Sequence, residues 1–352
     1  MNDRARVLVA VFVTVLLFLG VQLGALALVE PFHDADHQVV EDPNDPAISI
    51  LYFLVILLMT GFMLAAFKYD AQWLIRGLVI GVSVMLAWFV FAEVLPPVVV
   101  VEGQNGLAIL GAIAVGVGLL VYPEWYVIDT AGVVMGAGAA GLFGISFGLL
   151  PALVLLSALA IYDAISVYKT KHMLSLAEGV MDLKIPVVLV VPTTLSYSYL
   201  ADGSTDGVIE DGSSGGESES EQAPGADSDS TPDSNPDSEP TEPSNPAEDS
   251  APEAFERDAL FIGLGDAIIP TILIASAAYF LEVPTLGVPG IALNVPALGA
   301  MIGTLIGLLV LMHMVLQGRP HAGLPLLNGG AIAGYLVGAL ASGVSIATAL
   351  GF

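Results

Sequence analysis

The chain has 352 residues, of which 55% are hydrophobic and only 12% charged, yet its net charge is −26 from 35 acids and 9 bases. An ordinary soluble domain carries about twice that charged share, and a basic nucleic-acid-binding surface is excluded by the sign of the balance. The absence of cysteine removes disulfides, thiolate metal sites and cysteine nucleophiles.

Residues 197–258 hold 18 acids and one Arg in 62 positions, leaving 25 charges for the other 290 residues. With a mean hydropathy of +0.82 for the whole chain, that remainder is too apolar for a water-soluble protein. It reads as an all-α polytopic membrane protein with one solvated acidic loop. Crossing roughly 30 Å of hydrocarbon takes about 20 apolar residues. Candidate spans are 7–29, 47–67, 73–95, 106–121, 131–149, 151–170, 259–281, 295–316 and 324–351, which predicts nine transmembrane helices.

The first candidate, 7–29, follows Arg4 and Arg6 and contains Ala25-Leu26-Ala27, which looks like a signal-peptide cleavage site. Its apolar stretch is longer than the roughly 7–15 residues of a signal core, so it reads as a span. With the N-terminus in the cytoplasm, Arg4, Arg6, Lys68, Arg76, Lys169, Lys171, Lys184, Arg257 and Arg319 all fall on the inner side. That obeys the positive-inside rule and puts the C-terminus outside. The predicted layout is residues 1–196 with six helices and a short apolar segment, 197–258 as the cytoplasmic loop, and 259–352 with three helices. Ser, Gly, Pro, Asp and Glu dominate the loop, a composition expected to be disordered. The sequence pI near 4.1 points to a high-salt cytoplasm, and so to a haloarchaeal plasma membrane, where salt screens carboxylate repulsion.

On the fifth span Gly132, Gly136, Gly138, Gly141, Gly144 and Gly148 predict close helix packing. The run Ile185–Pro192 is too short to span, rich in β-branched residues and punctuated by prolines. It, or the segment before the seventh helix, offers a strand edge to an unwound substrate, or else serves as an interfacial packing segment. His172, His313 and His321 have no ligand-spaced partners, so no metal site is expected.

A carboxylate deep in a span is a candidate functional group by default. Two lie well inside predicted helices, Asp163 on the sixth and Asp266 on the seventh, while Glu93 reads as a rim charge. Each stands about seven residues from the cytoplasmic helix end, roughly 10 Å below the inner face at 1.5 Å per residue. Two carboxyls at one level suit an aspartic-protease pair, a proton- or cation-coupled carrier, or a hydrogen-bonded structural pair.

Tyr162-Asp163 and Gly263-Leu264-Gly265-Asp266 resemble the YD and GxGD signatures of the presenilin and signal-peptide-peptidase family. Their placement on the sixth and seventh spans, with a long hydrophilic loop between, is a specific combination. Gly323-Leu324-Pro325-Leu326-Leu327-Asn328-Gly329-Gly330 looks like the family's PAL motif, with Leu326 in place of Ala. The archaeal homologues are the nearest likeness. The resemblance implies an intramembrane aspartyl endopeptidase in which Asp163 and Asp266 are catalytic, using an activated water and no cofactor. It implies that Gly263 and Gly265 let a substrate backbone approach, and that Pro325, Leu326 and Leu327 form irregular backbone that positions substrate. Tyr162 orients Asp163 or packs beside it. The expected partners are the lipid bilayer and transmembrane proteins or peptides. The sequence marks no accessory-subunit or oligomer interface.

Overall fold

The computed structural model describes residues 3–40, 43, 45–69, 71–167, 187–192, 259–317 and 322–352. The acidic loop, with Lys169, Lys171, His172, Lys184, Arg257, Arg319 and His321, lies outside the described residues. In chain order the elements are α1 (Asp3–Asp34), α2 (Pro46–Lys68), α3 (Gln72–Val94), β1 (Val100–Val101), β2 (Gln104–Asn105), α4 (Gly106–Val121), α5 (Trp125–Ser146) and α6 (Leu149–Ile165). After these come β3 (Val188–Pro192), β4 (Ala259–Gly263), α7 (Leu264–Phe280), α8 (Val295–Val315), α9 (Gly323–Ala341) and α10 (Ile346–Ala349).

Among the described residues five stretches are long and apolar enough to cross a membrane: Arg6–Asp34, Trp73–Val94, Trp125–Ser146, Val295–Val315 and Gly323–Ala341. Shorter apolar helices run over Ile50–Ala66, Gly106–Val121, Leu149–Ile165 and Leu264–Phe280. The outward faces of this bundle are apolar: Leu8, Phe12 and Leu16 of α1, Leu51 and Leu58 of α2, and Leu110, Ile113 and Val117 of α4 are all exposed. Such faces are unfavourable against water and cost nothing against hydrocarbon. The molecule is a mostly helical, multi-pass membrane protein.

Lipid tails are as apolar as leucine, so small residues that permit close contact must hold the helices together. α5 sits at the centre and shows how. A methyl group built on Gly138 would meet Val90 of α3 at 2.6 Å, and one on Gly136 would meet Val21 of α1 and Leu264 of α7 at 3.3 Å. Gly144 leaves room for Ala275 of α7, and Gly24 of α1 for Ala137 of α5. The α1 helix is thereby a core element, with Phe18, Val21, Ala25 and Leu26 fully buried.

A closer contact joins α8 to α9. The carbonyl of Gly334 lies against Gly299, that of Gly330 against Gly303, and that of Leu326 against Gly307. The relation is reciprocal, since the Gly303 and Gly299 carbonyls lie against Gly330 and Gly334. Backbone meets backbone over three turns, and any side chain at these positions would force the helices apart.

Several helix limits differ from the expected spans. α5 starts at Trp125 instead of 131, because Glu124 supplies the N-cap position and the charge of Asp129 masks the first turn in a hydropathy reading. Residues 259–263, expected to be helical, form β4. The last span ends at Ala341, and a turn leads to α10, which Tyr335 holds by donating its hydroxyl to the Ala349 carbonyl at 2.6 Å. The β1–β2 hairpin was not foreseen, although Glu102-Gly103 makes a two-residue turn with positive φ at both positions.

β3 and β4 pair antiparallel, with Val188 opposite Gly263, Val190 opposite Phe261 and Pro192 opposite Ala259. The first of the two candidate strand edges is therefore already paired, and its partner is the stretch expected to open the seventh helix; the segment before 259 lies outside the described residues. Of the run Ile185–Pro192, Ile185 and Pro186 lie outside the described residues.

Candidate active site

Asp163 stands in the last turn of α6 and Asp266 in the first turn of α7. Both are nearer their helix ends than the expected seven residues, because α6 closes at Ile165 and β4 replaces the first turn assigned to the seventh span. Asp163 is buried, 4% exposed, and Asp266 is half-buried. Asp266 lies within electrostatic reach of Asp163.

The start of α9 joins them. Its N-cap residue, Ala322, offers no side-chain hydrogen bond, so the first-turn N–H groups need partners from elsewhere. Asp163 supplies one: the Leu324 N–H donates to its Oδ2 at 3.1 Å. Pro325 has no N–H to satisfy, which suits a first helical turn. Gly323 lies against the other acid, and a methyl group there would sit 3.2 Å from Asp266 Oδ2. Consecutive residues of one helix start thus touch the two carboxyl groups.

Gly263 is the last residue of β4, and a methyl group on it would stand 3.6 Å from Asp266 Oδ2. Gly265 is exposed, and the nearest atom to a methyl group there is Ile269 Cδ1 at 4.0 Å. The two glycines leave the backbone bare on either side of Leu264. Tyr162 turns to α2, where its ring meets Phe53 edge-on at 6.0 Å.

Pro325, Leu326 and Leu327 do not form irregular backbone. They belong to the first turns of α9, since proline is tolerated there and only the helix start is needed to meet Asp163. Leu327 is fully buried, and Leu326 packs against the cluster containing Leu308, Leu311 and Met312 of α8.

Two polar residues near this region escaped the sequence reading. Asn328 is fully buried and donates its Nδ2 to the Leu156 carbonyl at 2.9 Å, tying α9 to α6 two turns from Asp163. An asparagine within an apolar helix was the available signal. Asp129, 5% exposed on α5, accepts the Val190 N–H on Oδ1 at 2.7 Å. Its signal was a carboxylate between Tyr126-Val127-Ile128 and the glycine-rich run that starts at Gly132, hidden by a helix start placed too late. The expectation singled out only Asp163 and Asp266, and Asp129 of α5 joins them as a helical acid withdrawn from the surface. Among the described residues no three His, Asp or Glu side chains cluster as a metal site would require.

A family model described as signal-peptide peptidase, presenilin aspartyl protease matches residues 15–344 of the chain. Two solved structures, each of a presenilin family intramembrane aspartate protease, are similar throughout. One, in space group C222, is 30% identical, covers 94% of this chain and 99% of its own, and superposes with a TM-score of 0.59. The other, in space group P2, is 31% identical over 93% of this chain and 96% of its own, with a TM-score of 0.55. No curated protein matches significantly.

Proposed function

Because this chain belongs to the family of signal-peptide peptidases and presenilin aspartyl proteases, we propose that Asp163 and Asp266 are its catalytic pair. The protein is an intramembrane aspartyl protease acting in the bilayer. What carries the assignment is the start of α9, where the Leu324 N–H binds Asp163 and Gly323 abuts Asp266. A structural carboxyl pair needs no such shared support, and a carrier does not account for the family.

Two adjacent carboxyls share one proton. The ionised member takes a proton from water as its oxygen attacks the scissile carbonyl carbon. The protonated member gives its proton to the carbonyl oxygen. A tetrahedral gem-diol results. Its collapse breaks the C–N bond, with a proton delivered to the nitrogen, and releases a new carboxyl and a new amine. Substrates are transmembrane segments or remnant signal peptides, which must unwind to expose a carbonyl. Gly263 and Gly265 give that extended backbone room, and Pro325, Leu326 and Leu327 shape the wall beside it. Tyr162 serves at one remove, through its packing on Phe53.

The chain crosses the membrane nine times, N-terminus in the cytoplasm and C-terminus outside, a reading supported by the one-sided distribution of Lys and Arg. It divides into 1–196, the acidic loop 197–258, and 259–352. The concentration of acid in the loop supports a haloarchaeal plasma membrane and predicts a protein active in molar potassium chloride. A reporter fused to the C-terminus should read as external.

The decisive experiment is cleavage of a transmembrane peptide by the purified protein beside Asp163→Asn and Asp266→Asn, with products identified by mass. Loss of both new termini in folded mutants is the expected result. Persistent cleavage in either mutant would remove that residue from the chemistry.

A further inference from the structure

Asp129 is a buried carboxylate that the catalytic assignment leaves unused. It stands amid Ile128, Ala131, Val190 and Ala259, an apolar cluster between α5 and the β3–β4 sheet. A carboxylate is expensive to bury in such surroundings. A valine would fill the space without that cost, so packing does not explain its presence. Its hydrogen bond does: Oδ1 accepts the Val190 N–H at 2.7 Å.

That bond fixes the sheet. In an antiparallel ladder, backbone groups of alternate residues point to opposite edges. Val190 gives its N–H to α5, so Val188 and Pro192, two residues either way, turn their backbone groups to the same side. Pro192 has no N–H at all. The outer edge of β3 is thereby fastened to α5. Gly132 reinforces the seat, since a methyl group there would meet Leu189 Cδ2 at 3.2 Å.

The inner edge runs to the site. Leu189 and Val191 face Ile262 and Leu260 of β4. The ladder continues one residue past the strand, where the Leu264 N–H donates to the Val187 carbonyl at 2.8 Å. Leu264 is the first residue of α7, and Asp266 follows two residues later. A succession of backbone hydrogen bonds therefore leads from the Asp129 carboxylate to the turn that bears Asp266.

We propose that Asp129 is a positioning residue for cleavage. Its oxygen holds β3 to α5, and the sheet so held sets the place of the α7 first turn, and with it Asp266, against Asp163. This rests on the assignment of Asp163 and Asp266 as the catalytic pair.

The test uses the full chain in lipid vesicles with a transmembrane peptide. Asp129→Ala removes the acceptor, Asp129→Asn keeps an oxygen that accepts the same N–H, and Val190→Pro removes the donor at a position where the N–H faces away from β4. Misplacement of a reacting group by about 1 Å costs about 100-fold in rate, so kcat should fall by about that factor in Asp129→Ala and in Val190→Pro, and most of it should return in Asp129→Asn. Amide exchange should quicken over 187–192 and 259–264 and stay unchanged across the α8–α9 contact. The double mutant should lose no more than the worse single, because both remove one bond.

Wild-type kcat in either single mutant overturns the proposal, as do equal losses in Asp129→Asn and Asp129→Ala, or losses that multiply in the double mutant. If Asp129→Ala does not fold, Val190→Pro decides alone. Asp163→Asn and Asp266→Asn on the same peptide keep the two readings apart. Cleavage by either refutes the catalytic pair, whereas their silence beside a fully active Asp129→Ala refutes only the positioning role.

Discussion

The two ends of α7 handle polar groups differently. At its start, Asp163 and Asp129 accept hydrogen bonds from backbone N–H groups of other elements, Leu324 and Val190. At its finish, side chains meet side chains: Tyr279 hydroxyl lies 2.6 Å from His33 Nδ1, and nearby His37 Nε2 lies 3.2 Å from Glu93 Oε1. His37 is also held between rings, with Phe32 at 5.6 Å and Phe89 at 5.0 Å. A backbone partner cannot swing away on rotamers, so the first arrangement leaves a carboxyl less freedom than the second. The second arrangement is adjustable and partly exposed, which suits the rim of a membrane bundle.

That contrast has measurable consequences. The largest is at the carboxyls themselves: Asp163→Asn and Asp266→Asn should each lower kcat on the order of 10⁴-fold or more, read from product mass at long incubation. Next comes Gly323→Val. A methyl group at this position already stands 3.2 Å from Asp266 Oδ2, so a branched side chain should displace either α9 or the acid and reduce kcat by about 100-fold. Its thermal transition should change far less than its rate.

Acidity supplies the third measurement. A pair that works with one shared proton needs a base and an acid at once. Low pH protonates both members and removes the base. High pH ionises both and removes the acid. The rate profile should therefore be bell-shaped, and a rate that stays level after the shared proton is lost would contradict the pair. The smallest effect belongs to the other end. Glu93→Gln should cost about 0.5 kcal/mol of stability and leave kcat within about twofold of the parent. A loss there as deep as that of Gly323→Val would erase the distinction between the two ends.

The parts of the fold that the sequence disclosed are those governed by local chemistry. Asp163 and Asp266 stood out because a charge in an apolar run has few explanations, and Gly136 and Gly144 announced close packing on α5. What stayed hidden depended on partners distant in the chain. Gly299, Gly303 and Gly307 repeat every four residues, as do Gly330 and Gly334 with Gly338, yet spacing does not say which helix each row meets. Asp129 drew no attention because the fifth span was started after it and its hydrogen-bond partner, Val190, comes 61 positions later. Pro325 suggested a break, and the structure uses it as a helix start because the cap arrives from α6. The apolar run ending at Pro192 allowed a strand as well as an interfacial packing segment, while its partner, 259–263, was absorbed into the neighbouring hydrophobic stretch.

The α8–α9 contact has a mechanical consequence. Side chains give an ordinary helix pair some slack, because rotamers yield before backbones do. Where glycine carbonyls lie directly on glycine backbone, that cushion is missing, and the two helices travel as one beam. The beam's tip carries Gly323 and Leu324. Any displacement of α8, even at Gly299 near its remote end, is transmitted to the acids with little damping.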